Sequence, residues 1–243
     1  MKKDYAIVTG ASRGIGRAAA LALAASGCSV LAVSQSCRSG LESLQKEIRE
    51  TYGTECVTAL GDLGSESFVT QLFSLLPDEA LLKVLVNNAG ISHVGLLQDM
   101  TLDQWNRLLQ TNITSMFLTC RAAVPLFLRQ GGGSILNVSS VWGTAGASCE
   151  AAYSASKGAV NAFTKALGKE LAPSKIRVNA IAFGAIDTSM NRFLSPEERA
   201  DLEEEIPAGR FGTTAEAGAL IADIALNHPY LTAQVLTMDG GWI

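Results

Sequence analysis

The sequence is poor in charge, histidine, proline and aromatic residues, and each shortage excludes something. Only 17% of its 243 residues are charged, and 19 Lys and Arg nearly balance 23 Asp and Glu, for a net charge of −4. With no basic cluster, nucleic-acid binding is not expected. The two histidines, His93 and His228, lie far apart, and the five cysteines (Cys28, Cys37, Cys56, Cys120 and Cys149) are odd in number with no paired spacing. Neither a metal site nor a disulfide framework is expected; the thiols read as reduced, mostly buried groups of a cytoplasmic protein. Charge is sparse enough to leave two twenty-residue windows, Ala18–Cys37 and Gln130–Cys149, with none. That length could cross a bilayer. Both windows, however, hold several Ser and Gly residues, and the second contains Gly131, Gly132 and Gly133. They read as buried elements joined by turns, with no membrane partner. Asp4 and the glycines from Gly10 onward break any signal-peptide core behind Lys2 and Lys3.

What is present is a regular alternation. Short apolar runs rich in Val and Ile, as in strands covered on both faces, occur at Ala6–Val8, Val30–Val33, Val57–Leu60, Val84–Val86, Ser134–Val138, Val178–Ile181 and Val235–Met238. Helical stretches are expected between them, near 15–26, 40–51, 65–76, 103–130, 152–172 and 214–226. The alternation predicts an α/β fold, a Rossmann-type doubly wound parallel sheet of about seven strands with helices on both faces. Without a repeat, low-complexity tract or Pro-rich linker, residues 1–243 read as one domain. Only Asp187–Gly212 departs from the rhythm. It looks irregular, carries seven acidic and three basic residues, and reads as a substrate loop because it follows a core strand.

The first strand runs into Thr9-Gly10-Ala11-Ser12-Arg13-Gly14-Ile15-Gly16, and a helix follows. Glycines there permit a tight turn and close approach of a pyrophosphate to the helix N-terminus. The second strand ends in Ser34-Gln35, with no carboxylate for ribose hydroxyls, while Arg13 and Arg38 are near enough in sequence to pair with a 2′-phosphate. NADP(H) is therefore expected over NAD(H).

Further features fall at the carboxyl ends of later strands: Asn87-Asn88-Ala89-Gly90 after the fourth and Ser139-Ser140 after the fifth. Tyr153 and Lys157 stand one helical turn apart on a common face, and Asn112 lies in the preceding helix. Together these motifs resemble the short-chain dehydrogenase/reductase family over essentially the whole chain. The resemblance implies carbonyl reduction in which Tyr153 is the general acid, Lys157 lowers the phenol pKa and holds the nicotinamide ribose, Ser140 polarises the carbonyl oxygen, and Asn112 keeps a water behind Lys157. It also implies cofactor contacts at Gly10, Ser12, Arg13, Gly14, Ile15 and Gly16, at Ser34 and Arg38, at Asp62 and Leu63 beside adenine, and at Asn88, Ala89 and Gly90. After the sixth strand, Gly184, Ile186 and Thr188 fall where the family meets the carboxamide, although Phe183 replaces the usual Pro.

Within the family, Ile206-Pro207-Ala208-Gly209-Arg210-Phe211-Gly212 and Met238-Asp239-Gly240-Gly241 are similar to 3-oxoacyl-(acyl carrier protein) reductases, which implies a homotetramer, fatty acid biosynthesis and a carrier-bound substrate. Arg129, Lys175 and Arg177 form the thin basic patch available for such a carrier. Glu150, just before Tyr153, stands where carrier-protein reductases have an uncharged pair, and Trp142 follows Ser140 closely. Both are expected in the substrate pocket, and Glu150 suits a positively charged substrate. The Trp142–Glu150 stretch also resembles a bacterial branch that reduces the 5-aminopentanone group on a lysine of elongation factor P. The alternative of another class is a non-catalytic dinucleotide sensor or subunit on the same fold.

Overall fold

The computed structural model describes residues 3–191 and 194–243; Met1, Lys2, Arg192 and Phe193 lie outside the described residues. Seven parallel strands form one sheet in the order β3-β2-β1-β4-β5-β6-β7. They are β1 (Lys3–Thr9), β2 (Ser29–Ser34), β3 (Cys56–Leu60), β4 (Ala80–Asn87), β5 (Gly133–Ser140), β6 (Ile176–Phe183) and β7 (Val235–Met238). The helices are α1 (Gly14–Ala25), α2 (Arg38–Tyr52), α3 (Glu66–Phe73), α4 (Leu102–Leu109), α5 (Ser115–Gln130), the short α6 (Trp142–Ala145), α7 (Ala151–Leu171), α8 (Pro196–Glu205) and α9 (Thr214–Asn227).

Consecutive strand residues point to opposite faces, and both faces are buried. Val8, Val30, Ala32, Val84, Val86, Leu136 and Val138 share one core with Ala19 and Leu23 of α1, Leu44 of α2 and Ile221 of α9. The alternate residues Ile7, Leu31, Val33, Leu85 and Ile135 share the other with Leu72 of α3, Phe127 of α5 and Val160 of α7. The two charge-free windows therefore run through buried strands, and among the described residues no helix is long and apolar enough to cross a membrane. The strand order reverses between β1 and β4, so the loops after these strands open a crevice at the carboxyl edge of the sheet, where such folds take ligands.

Two expectations need correction. The helix read as continuous over 103–130 is broken: α4 passes through a π-helical segment, Gln110–Thr114, into α5. One inserted residue leaves apolar periodicity on both sides intact, so the pattern hides the bulge. Residues 187–212 are not irregular throughout, because α8 lies within them. Its sequence PEERADLEEE has no apolar stripe; instead Ser195 and Glu198 form a capping box and Pro196 opens the first turn. A helix specified by its start alone gives no hydrophobic period to read.

Candidate active site

The loop after β1 turns at Gly10, with φ +66°. Asn88, at the end of β4, donates its side-chain amide to the carbonyls of Thr9 (2.9 Å) and Gly10 (3.2 Å). Gly16 has no room for a side chain: a Cβ would stand 2.4 Å from the Asn88 amide nitrogen and from the Gly10 carbonyl oxygen. The first turn of α1 has no capping side chain at Arg13, so its N–H groups stay open to an anion. Beside it the Ser34 hydroxyl donates to Ser12 Oγ (3.2 Å) and accepts the Cys37 N–H (3.3 Å), drawing the end of β2 and the start of α2 to the phosphate loop. A cleft of about 1040 Å³ runs from this loop to Tyr153, Trp142 and Glu150. An uncapped helix start on a glycine turn, opening into a long cleft, fits a dinucleotide.

At the other end β5 delivers Ser140, whose Oγ accepts the Trp142 N–H (3.2 Å) and lies beside the Tyr153 phenol. Lys157, one turn further along α7, is 4% exposed. Its ammonium donates to the Val138 carbonyl (2.8 Å) and lies 5.6 Å from the centre of the Tyr153 ring. Burial drives the Lys157 pKa down to about 8. It drives Tyr153 up to about 12, with the Ser140 hydrogen bond opposing and the Glu150 charge adding to the rise. The lowered phenol pKa expected from Lys157 is thus reversed in this geometry: the ammonium sits over the ring and is spent on a backbone carbonyl, and desolvation wins. Tyr153 is held as a neutral acid.

Asn112 occupies the π-helical segment and is buried. Its Oδ1 accepts the Ile91 N–H (2.8 Å), and its Nδ2 donates to the Ile91 carbonyl (2.9 Å) and to Ser156 Oγ (3.0 Å). The side chain thereby ties the loop after Gly90 to α7. Gly90 lies against both groups, and a Cβ there would meet Asn112 Oδ1 at 3.4 Å and Lys157 Nζ at 3.7 Å, ordinary contact distances.

Glu150 is the N-cap residue of α7, yet its side chain makes no capping hydrogen bond. It lines the cleft together with Ser92, and burial raises its pKa, with Ser92 opposing the rise. Glu205 of α8 also lines the cleft, and Lys157 is a basic group at this end. The thin basic patch lies elsewhere. Arg129 closes α5, and Lys175 and Arg177 flank the first residue of β6, at the amino edge of the sheet, away from the cleft. Arg177 is moreover committed to the carbonyls of Ile224 (3.1 Å), Ala225 (2.6 Å) and His228 (3.0 Å) at the end of α9.

One cleft collects Gly10, Ser12, Arg13, Gly14, Ile15, Ser34, Asp62, Leu63, Asn88, Ala89, Gly90, Ser140, Trp142, Glu150, Tyr153, Lys157, Gly184, Ile186 and Thr188. Gly16 and Asn112 support its wall from behind, and Arg38 is exposed at the start of α2 without lining it. Sequence reasoning did not single out Cys37, Ser92 and Trp242, nor Leu202 and Glu205 within the segment read as a substrate loop, all of which line it too. Only Cys37 carried a local signal, its position between the second strand and second helix. The other four arrive from loops or from α8 by folding alone. The cysteines are unpaired, with Cys28, Cys56 and Cys120 buried, and no cluster of three potential metal ligands occurs among the described residues.

A family model described as short chain dehydrogenase matches residues 4–199. The chain is 38% identical over 243 residues to a 3-oxoacyl-[acyl-carrier-protein] reductase of Synechocystis sp. (strain ATCC 27184 / PCC 6803 / Kazusa), covering 99% of this chain and 97% of that one. It is 36% identical over 238 residues to the uncharacterized oxidoreductase YmfI of Bacillus subtilis (strain 168), covering 98% of each. A crystal structure from Agrobacterium tumefaciens, provisionally assigned as a gluconate dehydrogenase, superposes with a TM-score of 0.93 at 32% identity, covering 98% of this chain and 95% of that one. The glycine turn, the Ser140–Tyr153–Lys157 cluster, the sheet order and these likenesses agree: the chain belongs to the short chain dehydrogenase family of nicotinamide-dinucleotide oxidoreductases.

Proposed function

We propose that this protein reduces a ketone to a secondary alcohol with NADPH, working as a single domain. The observation that carries the reading is the convergence of Ser140, the neutral Tyr153 and Lys157 at one end of the cleft. Gly10, Ser12, Gly14, Ile15 and the α1 N-terminus would hold the pyrophosphate, Asp62 and Leu63 the adenine, and Asn88, Ala89 and Gly90 the adenosine side. Arg13 and Ser34 would receive the 2′-phosphate; Arg38, standing outside the cleft, is left to approach it from solvent. Tyr153 and Lys157 would hold the nicotinamide ribose, and Gly184, Ile186 and Thr188 the carboxamide. Bound there, the cofactor supplies the hydride for the carbonyl carbon.

The chain's own groups manage the oxygen. The Ser140 oxygen accepts the Trp142 N–H, which leaves its proton free to donate to the carbonyl. As negative charge builds, that hydrogen bond strengthens and the Tyr153 phenol delivers its proton. The Lys157 ammonium, close to the ring, stabilises the phenolate left behind. Asn112 keeps the Ile91 loop and α7 in register, so any water behind Lys157 would rely on backbone carbonyls of the π-helical turn.

The relatives point to 3-oxoacyl thioesters. Glu150 favours a second substrate, a ketone bearing an amine, such as a 5-aminopentanone group on a lysine of elongation factor P. A carboxylate at the substrate end, with Glu205 opposite and the basic patch on the far edge, suits a cation better than an acidic carrier protein. The homotetramer and the cytoplasmic location belong to the same reading, and exposed Phe117 and Leu128 on α5 offer an apolar face for subunit contact. Turnover of an acetoacetyl thioester and of aminopentanone-modified elongation factor P, each with NADPH and NADH, tests these assignments. Tyr153→Phe should abolish reduction; unchanged turnover would revive the sensor alternative. Better rates with NADH would overturn the cofactor choice, and thioester reduction unaffected by Glu150→Gln would remove the amine substrate.

A further inference from the structure

Beyond β7 the chain turns back over the cleft and brings Trp242 against Trp142, with ring centres 4.9 Å apart and planes at 66°, an edge-to-face pair. Both indoles line the cleft with Tyr153 and Glu150. Trp142 stands two residues beyond Ser140, so the pair forms a wall beside the carbonyl site. The turn that delivers Trp242 is firmly built. The Asp239 carboxylate accepts the N–H groups of Gly241 and Ile243, both at 2.9 Å. The Gly240 carbonyl accepts the Ala208 N–H at 3.1 Å, which joins the turn to the segment leaving α8. Gly240 (φ +71°) and Gly241 (φ +85°) adopt left-handed backbone that a side chain would oppose. A large aromatic residue held this way in an open cleft, paired to the residue next to the carbonyl site, has a function besides packing.

We propose that Trp242 is a specificity-determining residue, an apolar contact wall that selects ketones by the length of the unbranched arm running away from the carbonyl. The proposal rests on the carbonyl-reduction reading of the same site. Among the described residues no hydrogen bond joins the Trp242 side chain to Ser140, Tyr153 or Lys157, so its part is contact with the arm and not proton transfer. Each methylene that reaches the indole faces leaves water, and full burial of one is worth up to about a fourfold gain in kcat/KM.

The test is a series of 3-oxoacyl thioesters of increasing chain length, assayed with NADPH on the full chain. In the unsubstituted protein kcat/KM should climb with each methylene. In Trp242→Ala the climb should flatten, while kcat on the shortest substrate stays within about twofold. Trp242→Phe should keep part of the climb, and it carries the test if the alanine variant fails to fold. An equally steep climb in Trp242→Ala would overturn the proposal. So would selective acceleration on the longest substrates, because the indole would then be an obstacle. If the unsubstituted protein reduces neither this series nor aminopentanone-modified elongation factor P, the carbonyl-reduction reading fails by itself. Where the series is not reduced, the wall is judged by calorimetric binding of the matching 3-hydroxyacyl thioesters with NADP⁺: an affinity increment per methylene that Trp242→Ala removes supports it, and no increment overturns it.

Discussion

Behind the cleft, polar groups are buried and paired from element to element, whereas α8, in the segment 187–212 at its mouth, buries no residue and is held by exposed ion pairs. Thr119 of α5 donates to Asn87 (2.7 Å), Asn87 to Asn137 (3.0 Å), and Asn137 to Thr164 of α7 (2.9 Å), all buried. Asn112 and Lys157 extend this floor toward the reacting end. Across the mouth, Arg199 of α8 reaches Asp187 (3.0 Å) and Glu203 (3.1 Å) and stacks 4.3 Å above Phe211. Two backbone links, Asp187 N–H to the Gly212 carbonyl (2.8 Å) and Gly212 N–H to the Ala185 carbonyl (2.9 Å), close the base of the segment. A satisfied buried network allows one arrangement, which is what proton transfer requires; exposed pairs cost little to break, as the substrate cover we propose for residues 187–212 would require.

Substitutions should separate the two regions. The largest effect is expected in the floor: Lys157→Met and Tyr153→Phe should lower kcat by about 100- to 10,000-fold in steady-state assays while NADPH binding survives. Because the Lys157 pKa is lowered to about 8, the rate of reduction should be level near neutrality and fall as pH rises past that value. A rate that climbs through this range would show that the ammonium is not required. Next, Asn112→Ala should destabilise the fold by about 1–3 kcal/mol in urea denaturation, since the Ile91 N–H and carbonyl lose their partners. It should also reduce kcat by loosening Gly90 and Ser156.

Arg199→Ala, in the cover, should instead raise KM several-fold with little change in kcat, and move stability by at most about 1 kcal/mol. A loss of kcat as large as that of Asn112→Ala would erase the distinction between the regions. The smallest effect is expected at Glu150, which lies between them. Burial raises its pKa, so folding takes up a proton and the ionised carboxylate is disfavoured in the folded state. Glu150→Gln should therefore raise Tm slightly at pH 8, and the gain should shrink toward zero as the pH falls to 4 and below, where the Glu150 carboxyl is protonated in the folded and unfolded states alike.

The strands and the glycine turn were legible in the sequence because fully buried parallel strands write unbroken apolar runs, and the tight loop needs Gly10 and Gly16 in fixed places. The Tyr153–Lys157 spacing was legible for the same local reason. Helix α8 was not, since its start is written in Ser195, Pro196 and Glu198 and its body carries no period. The π-helical turn was hidden by apolar residues on both sides. Arg38 was credited with reaching the cofactor on proximity in sequence, yet α2 leads it outward to solvent. Arg129, Lys175 and Arg177 read as one patch near the substrate, and the sheet places them at its opposite edge.

The sequence by itself determined the α/β architecture, the dinucleotide loop and the residue types of the reacting cluster, because each depends on local period, turn geometry or spacing along one helix. Tertiary structure decided the upward direction of the Tyr153 pKa shift, the spending of Lys157 on Val138, the placing of Glu150 in the cleft and the meeting of Trp142 with Trp242. These depend on burial and on contacts between segments as distant as residues 142 and 242, which no local pattern encodes.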